Sequence, residues 1–252
     1  MRNVMKSGIA AVALTGAFLQ VAQAADFSMG LTASWSSKLY RQVNENKNNL
    51  IFPNIDFEAD HFWLHGLSTG YNFIETPEDR LAVLGYYLPL SYKASDSHSR
   101  QMRELKDRRS TFMAGLSYTH QSNTWGVFES VLAADVLDNS NGYNWSNTWS
   151  LPLEFGAFTL EPALGVNWND RKFNRYYYGV SSGESARSGL RKYTPGDSWT
   201  PFAELNLNYS LTDNWNIYGG TRFTVLAKEV KNSPMVAKDS LVTFWTGASY
   251  TF

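Results

Sequence analysis

Along the carboxyl half of the chain, apolar and polar residues alternate with a period of two. From Ser240 to Phe252, one face carries Val242, Phe244, Ala248, Tyr250 and Phe252. The other carries Thr243, Gly247, Ser249 and Thr251, with Trp245 the exception. The same alternation sets Trp145, Trp149, Leu151, Leu153 and Phe155 against Asn144, Ser146, Thr148, Ser150 and Glu154. Beyond Gly156, Phe158, Leu160, Pro162, Leu164, Val166 and Trp168 oppose Thr159, Glu161, Ala163, Gly165, Asn167 and Asn169. Residues 199–211 and 215–225 repeat the pattern, and less regular versions cover 27–40, 60–73, 80–92, 109–121 and 124–137. Period two over stretches of this length predicts half-apolar β-strands. Each is long enough for the roughly 9–11 residues that a tilted strand needs to cross a membrane. Trp or Tyr near many strand ends matches the preference of amphipathic rings for the membrane interface.

The connections alternate in length. Tight turns at 122–123, 156 and 212–214, and a slightly longer one at 75–79, are interleaved with polar connections at about 41–59, 93–108, 138–142, 170–198 and 229–239. Short periplasmic turns and long external loops give an antiparallel all-β transmembrane barrel of about ten strands, with both termini inside. The extended segment Leu50–Phe57 disturbs the count. Pro53 weakens it as an inner strand, so it reads as a prolongation of the second strand, with twelve strands the alternative.

Composition supports a barrel over a water-soluble fold. The 252 residues include 9 Trp, 14 Tyr and 15 Phe, an aromatic share of 15%, with only 18% charged residues. Mean hydropathy is nevertheless negative, at −0.34. Lipid-facing residues diluted one-to-one by polar lumen residues produce this mixture, whereas a lipocalin-like or sandwich fold would turn its apolar face inward. A net charge of −1 argues against nucleic acid as a partner. The absence of cysteine excludes disulfides and thiolate chemistry. Arg2 and Lys6, the apolar run Gly8–Leu19, and small residues at Ala22 and Ala24 form a secretory leader over residues 1–24, with cleavage between Ala24 and Ala25. Residues 25–252 are then the exported barrel. No later apolar stretch is long enough for a membrane helix, so a membrane-embedded chain must span with strands.

Candidate chemistry is sparse. His61 and His65 share a strand face with no carboxylate pattern converging on them, so no metal site or cofactor is expected. His120, with Ser122 close by, raises the possibility of an outer-membrane lipid hydrolase. No elbow or triad spacing accompanies it, and an interface imidazole is the favoured reading. Glu129, Asp135, Glu154, Glu161 and Glu204 fall on the polar face with Arg222, which reads as paired lumen charge ahead of a cation pore. The loops at 93–109 and 170–198 each net +3. Arg100, Arg103, Arg108, Arg187 and Arg191 are therefore candidates to contact lipopolysaccharide phosphates.

The segment Tyr176–Leu190, followed by Tyr193-Thr194-Pro195-Gly196, resembles a signature of the MipA/OmpV family. Supporting stretches are Leu160–Trp168, Asp107-Arg108-Arg109 leading into Ala114-Gly115-Leu116, and Ser233–Val236. The resemblance spans essentially the whole mature chain and implies a Gram-negative outer-membrane barrel with no catalytic residues. The family's name-giving member is described as a scaffold joining a lytic transglycosylase to a bifunctional penicillin-binding murein synthase. Other members are treated as porin-like or adhesive, so scaffold, pore and adhesin all remain open at this point. The terminal Tyr250 and Phe252 likewise resemble the signal read by the barrel-assembly machinery.

Overall fold

The computed structural model describes residues 26–43 and 49–252. The expected leader and its cleavage point at Ala24–Ala25 lie outside the described residues. Thirteen strands form one antiparallel sheet: β1 (Asp26–Ser36), β2 (Asn49–Ala59), β3 (Phe62–His65), β4 (Ser68–Glu75), β5 (Asp79–Leu88), β6 (Thr111–Ser122), β7 (Gly126–Asp135), β8 (Tyr143–Ser150), β9 (Leu153–Phe155), β10 (Phe158–Asn169), β11 (Ser198–Ser210), β12 (Trp215–Val225) and β13 (Ser240–Thr251). Consecutive strands pair, β13 returns to β1, and β10 pairs with β11, so the sheet closes on itself. The short β9 continues β8, interrupted at Leu151-Pro152, and both lie against β10. The barrel therefore has twelve staves, and the β1 start and β13 end share one rim.

This corrects the ten-strand reading in favour of its alternative. The stretch read as one strand at 60–73 is two, β3 and β4, folded back at Gly66-Leu67, where Gly66 adopts φ +54°. The segment around Pro53 is the independent strand β2, turned into β3 at Asp60-His61 with Asp60 at φ +48°. Two extra strands keep the total even, so both termini stay on one side. The two turns are legible only as single residues that tolerate positive φ, inside what otherwise reads as continuous alternation.

The alternation is used inside out relative to a soluble protein. Leu31, Val83, Leu116, Leu132, Leu164, Phe223 and Phe244 stand exposed on the outer surface, whereas Ser28, Thr32, Asn54, Thr148, Glu161, Glu204, Arg222 and Ser249 are buried in the lumen. Exposed leucine and phenylalanine are favourable only against hydrocarbon, and the enclosed strand ladders leave no continuous sheet edge around the wall. No helix among the described residues is long and apolar enough to cross a membrane. Trp245, the exception to the terminal pattern, points inward and is buried. It can do so because Gly220 faces it: a Cβ there would lie 2.4 Å from Trp245 Cζ2.

Candidate functional site

The external connections fold into a cap. Helices α1 (Arg100–Arg103), α2 (Arg171–Tyr178), α3 (Ser182–Ser188) and α4 (Lys228–Lys231) lie in them. Asp170 starts α2 by accepting the Phe173 N–H at 2.9 Å, and the helix buries Phe173, Asn174, Tyr177 and Tyr178. Ser181 and Glu184 close a reciprocal capping box on α3, which ends at Gly189 with φ +72°. Tyr40, Tyr92, Met102, Leu105, Val180, Leu226, Val230 and Met235 join the α2 aromatics in one buried cluster drawn from four different connections.

One ion pair pins these connections together. The Arg108 guanidinium donates to Glu184 Oε1 at 2.8 Å, to the Gly179 carbonyl at 3.1 Å and to the Lys106 carbonyl at 2.8 Å. Glu184 also accepts the Lys106 N–H at 3.0 Å and the Ser181 N–H at 2.9 Å. Burial alone would raise the Glu184 carboxyl, but these donors outweigh it and hold it down at about 2. Burial pushes the Tyr92 phenol up to about 12, and its hydroxyl donates to the Met102 carbonyl at 2.5 Å. The two family-signature stretches, one containing Arg108 and the other Glu184, thus meet at a single buried contact.

Below the cap, several lumen charges are paired, while Glu129 keeps a buried carboxylate oxygen without a hydrogen-bond partner. Arg222 Nε donates to Glu204 Oε2 at 2.5 Å, and its guanidinium carbon lies 3.9 Å from the centre of the Phe202 ring. Arg80 reaches Glu75 at 3.3 Å, and His65 reaches Glu58 at 2.8 Å. Large rings fill the space where the facing residue is glycine: Trp63 over Gly70, Phe202 over Gly165, Tyr218 over Gly247 and Trp245 over Gly220. Within the lumen, Ser28 and Asn54 on the adjoining strands β1 and β2 are fully buried at 0% exposure. A partly open space of about 340 Å³ remains between this packing and the cap, lined by Ser34, Tyr86, Asn144, Ser146, Asn167 and Thr200 among others.

The predicted residues divide between these regions. Arg100, Arg103, Arg187 and Arg191 are exposed on the cap. Arg187 donates to the Glu104 carbonyl at 3.4 Å, and Arg191 to the Asn232 carbonyl at 3.2 Å. Arg108 departs from that set. Its side chain is 6% exposed and committed to Glu184, so it faces the cap interior rather than lipid phosphates. Phe252 stacks on Phe27 at 5.4 Å and meets Tyr250 at 5.0 Å, and Tyr250 meets Trp215 at 5.2 Å, forming an aromatic cluster at the terminal rim. Of the acidic set, Glu161 and Glu204 are buried in the lumen, Glu154 is exposed at the periplasmic rim, and Asp135 accepts the Leu137, Ser140 and Asn141 N–H groups of the β7–β8 loop.

The histidines differ from expectation in one respect: carboxylates do reach them. His61 lies 3.7 Å from Glu75, and His65 pairs with Glu58. These are separate pairs, and no group of three or more potential ligands among the described residues could hold a metal ion. His120 contacts Asp79 at 2.7 Å and stacks on Trp125 at 5.2 Å. Ser122 Oγ instead accepts the Thr124 N–H at 3.2 Å, so it does not complete a triad with His120.

Sequence reasoning missed the cap because it treated the long connections as polar loops. The available signals were the Ser181-x-x-Glu184 capping box and the Asp170 helix start.

Comparison with known proteins places this architecture. The family model described as MltA-interacting protein MipA matches residues 27–252. MltA-interacting protein of Escherichia coli K12 is 47% identical over 200 residues, covering 79% of this chain and 80% of its own length. The putative outer membrane protein YiaT of the same strain is 34% identical over 235 residues, covering 93% and 94% respectively. Outer membrane protein OmpV of Vibrio cholerae is 27% identical over 198 residues, covering 78% and 73%.

Proposed function

Because the chain belongs to the MltA-interacting protein MipA family and is an outer-membrane β-barrel, we propose that it acts as a non-enzymatic scaffold for murein enzymes on the periplasmic rim. The proposed partners are a lytic transglycosylase and a bifunctional penicillin-binding murein synthase. The observation that carries this reading is the filled lumen. With Arg222 held by Glu204, rings seated on glycines and the cap closing the outer end, the rims are the surfaces left for a partner.

The periplasmic rim has a definite chemistry. Its five turns expose Asp60, Glu78 and Asp213, with Glu154 beside them, and none of the turns carries lysine or arginine. Such a rim favours a basic partner surface and suits the smaller class of transient interfaces, below about 1,200 Å². Export depends on the leader at residues 1–24, assembly on the Tyr250–Phe252 ending, and lipopolysaccharide is met by Arg100, Arg103, Arg187 and Arg191.

The test is co-purification of a lytic transglycosylase with the barrel from solubilised envelopes. Charge reversal at Glu78 and Asp213 is expected to reduce recovery of the enzyme at least fivefold, whereas Glu204→Gln leaves it unchanged. Equal recovery with all variants would remove the rim from the reading.

A further inference from the structure

The barrel wall is not equally high all round. Strand β3 has four residues, and its hairpin with β4 ends at Gly66-Leu67. There the Gly66 N–H reaches the Ile55 carbonyl at 2.9 Å, and the Tyr87 N–H reaches the Leu67 carbonyl at 2.9 Å. Above that level, among the described residues, residues 49–54 of β2 pair with β1 alone. On the β2 side the notch is about five residues high, or roughly 16 Å along the strand, whereas β5 continues only to Leu88. Pro53 fits this arrangement. Ile55 turns its carbonyl to the β3 side, so Pro53, two residues on, turns its nitrogen the same way, to the free edge where no N–H is required.

The notch sits in the apolar belt. Asn49 at its upper end pairs with Trp35, an exposed ring, and Ile51, two residues along β2, is 74% exposed. Its lips are Leu50, Leu67 and Leu88, and all three also line the 340 Å³ cavity. Tyr86 and Tyr87 line it together. On one strand they face opposite sides of the wall, with Tyr86 8% and Tyr87 40% exposed. The cavity thus reaches β5 at the level where β4 ends. Open backbone at membrane depth is tolerated only where it is buried in protein or lines a water-filled cavity.

We propose that this cavity is a lateral binding site for a neutral single-chain amphiphile entering from the outer leaflet. The alkyl chain lies across the leucine lips. The hydroxyl-bearing head meets Ser34, Asn144, Ser146, Asn167 and Thr200 on the far wall. The cavity's arginine, Arg222, is already held by Glu204, and the His65 ring already engages Glu58, which disfavours a charged head. The cap residues Tyr40, Phe173 and Tyr178 roof the site, so the side notch is the route in. A volume of this size falls within the range of small-molecule sites.

The chain's lack of cysteine makes the test clean. Ser146→Cys in the full barrel, reconstituted in lipid nanodiscs, is treated either with N-dodecylmaleimide or with a charged, water-soluble maleimide. The alkyl reagent is expected to label at least tenfold faster, and adding Leu67→Trp to fill the notch is expected to slow it at least tenfold. Faster labelling by the charged reagent, or an unchanged alkyl rate with Leu67→Trp in a barrel that still shows heat-modifiable migration, would overturn the lateral route. Native mass spectrometry of the unmodified barrel with 1-lauroylglycerol and laurate in equal amounts tests the head. One retained lauroylglycerol per chain is expected, whereas preference for laurate, or retention of neither, would overturn the assignment.

Discussion

Replacing Glu184 with alanine should open the cap while leaving the barrel intact. The carboxylate is 4% exposed and its Arg108 partner 6%, and alanine leaves the guanidinium buried with only the Lys106 and Gly179 carbonyls. Removing one member of a buried pair typically costs about 3–5 kcal/mol. The titration behaviour leads to the same size: a carboxyl held at about 2 instead of the ordinary range contributes roughly 3 kcal/mol. That corresponds to about a hundredfold rise in the open population of the cap. The assay is hydrogen exchange of the 100–109 and 171–193 amides in the folded barrel. Strand amides should keep their protection while cap amides exchange about a hundredfold faster. The pH dependence has a fixed sign. A depressed carboxyl stabilises fully above its unfolded value near ~4.3, and that stability is lost as pH falls toward about 2. Wild-type cap protection should therefore decline between these values, and Glu184→Ala should flatten the decline. Unchanged cap exchange in the variant, or equal loss of strand protection, would refute the reasoning.

Three further outcomes follow from the same structure. Gly220→Ala places a Cβ against the Trp245 ring and should lower unfolding stability by about 1–3 kcal/mol in a urea titration. Gly196→Ala, with no heavy atom within 4 Å of its Cβ, should not change it measurably. Replacing both Tyr250 and Phe252 with alanine removes the cluster with Phe27 and Trp215, and should cut the yield of heat-modifiable outer-membrane barrel severalfold by immunoblot. Normal yield would mean that the ending is only a strand end. Charge reversal of Arg100, Arg103, Arg187 and Arg191 should weaken binding to lipopolysaccharide vesicles, while Arg108→Lys should act on cap exchange instead.

The all-β class, the antiparallel order and the inside–outside assignment were legible because a barrel wall writes one side-chain period along every strand. Strand number was less so. Asp60-His61 and Gly66-Leu67 are two-residue turns inside one alternating run, and the period survives both. Pro53 argued against a separate strand there, yet it stands in the independent strand β2, opposite Leu31 of β1. What the chain alone did not reveal is that the neighbouring stave stops short, so that among the described residues the upper part of β2 pairs only with β1. The cap was least visible because its cluster assembles Tyr40, Tyr92, Tyr177 and Met235 from distant connections, none of them strongly apolar. Arg108 shows the cost of reading charge by segment: its partner Glu184 is 76 residues away.

The account rests on a lumen occupied by its own side chains, and planar-bilayer conductance of the purified barrel tests that most directly. No steady conductance above the bilayer baseline is predicted, with Glu161→Gln and Glu204→Gln leaving the trace unchanged. A stable, cation-preferring channel that disappears with those substitutions would contradict it.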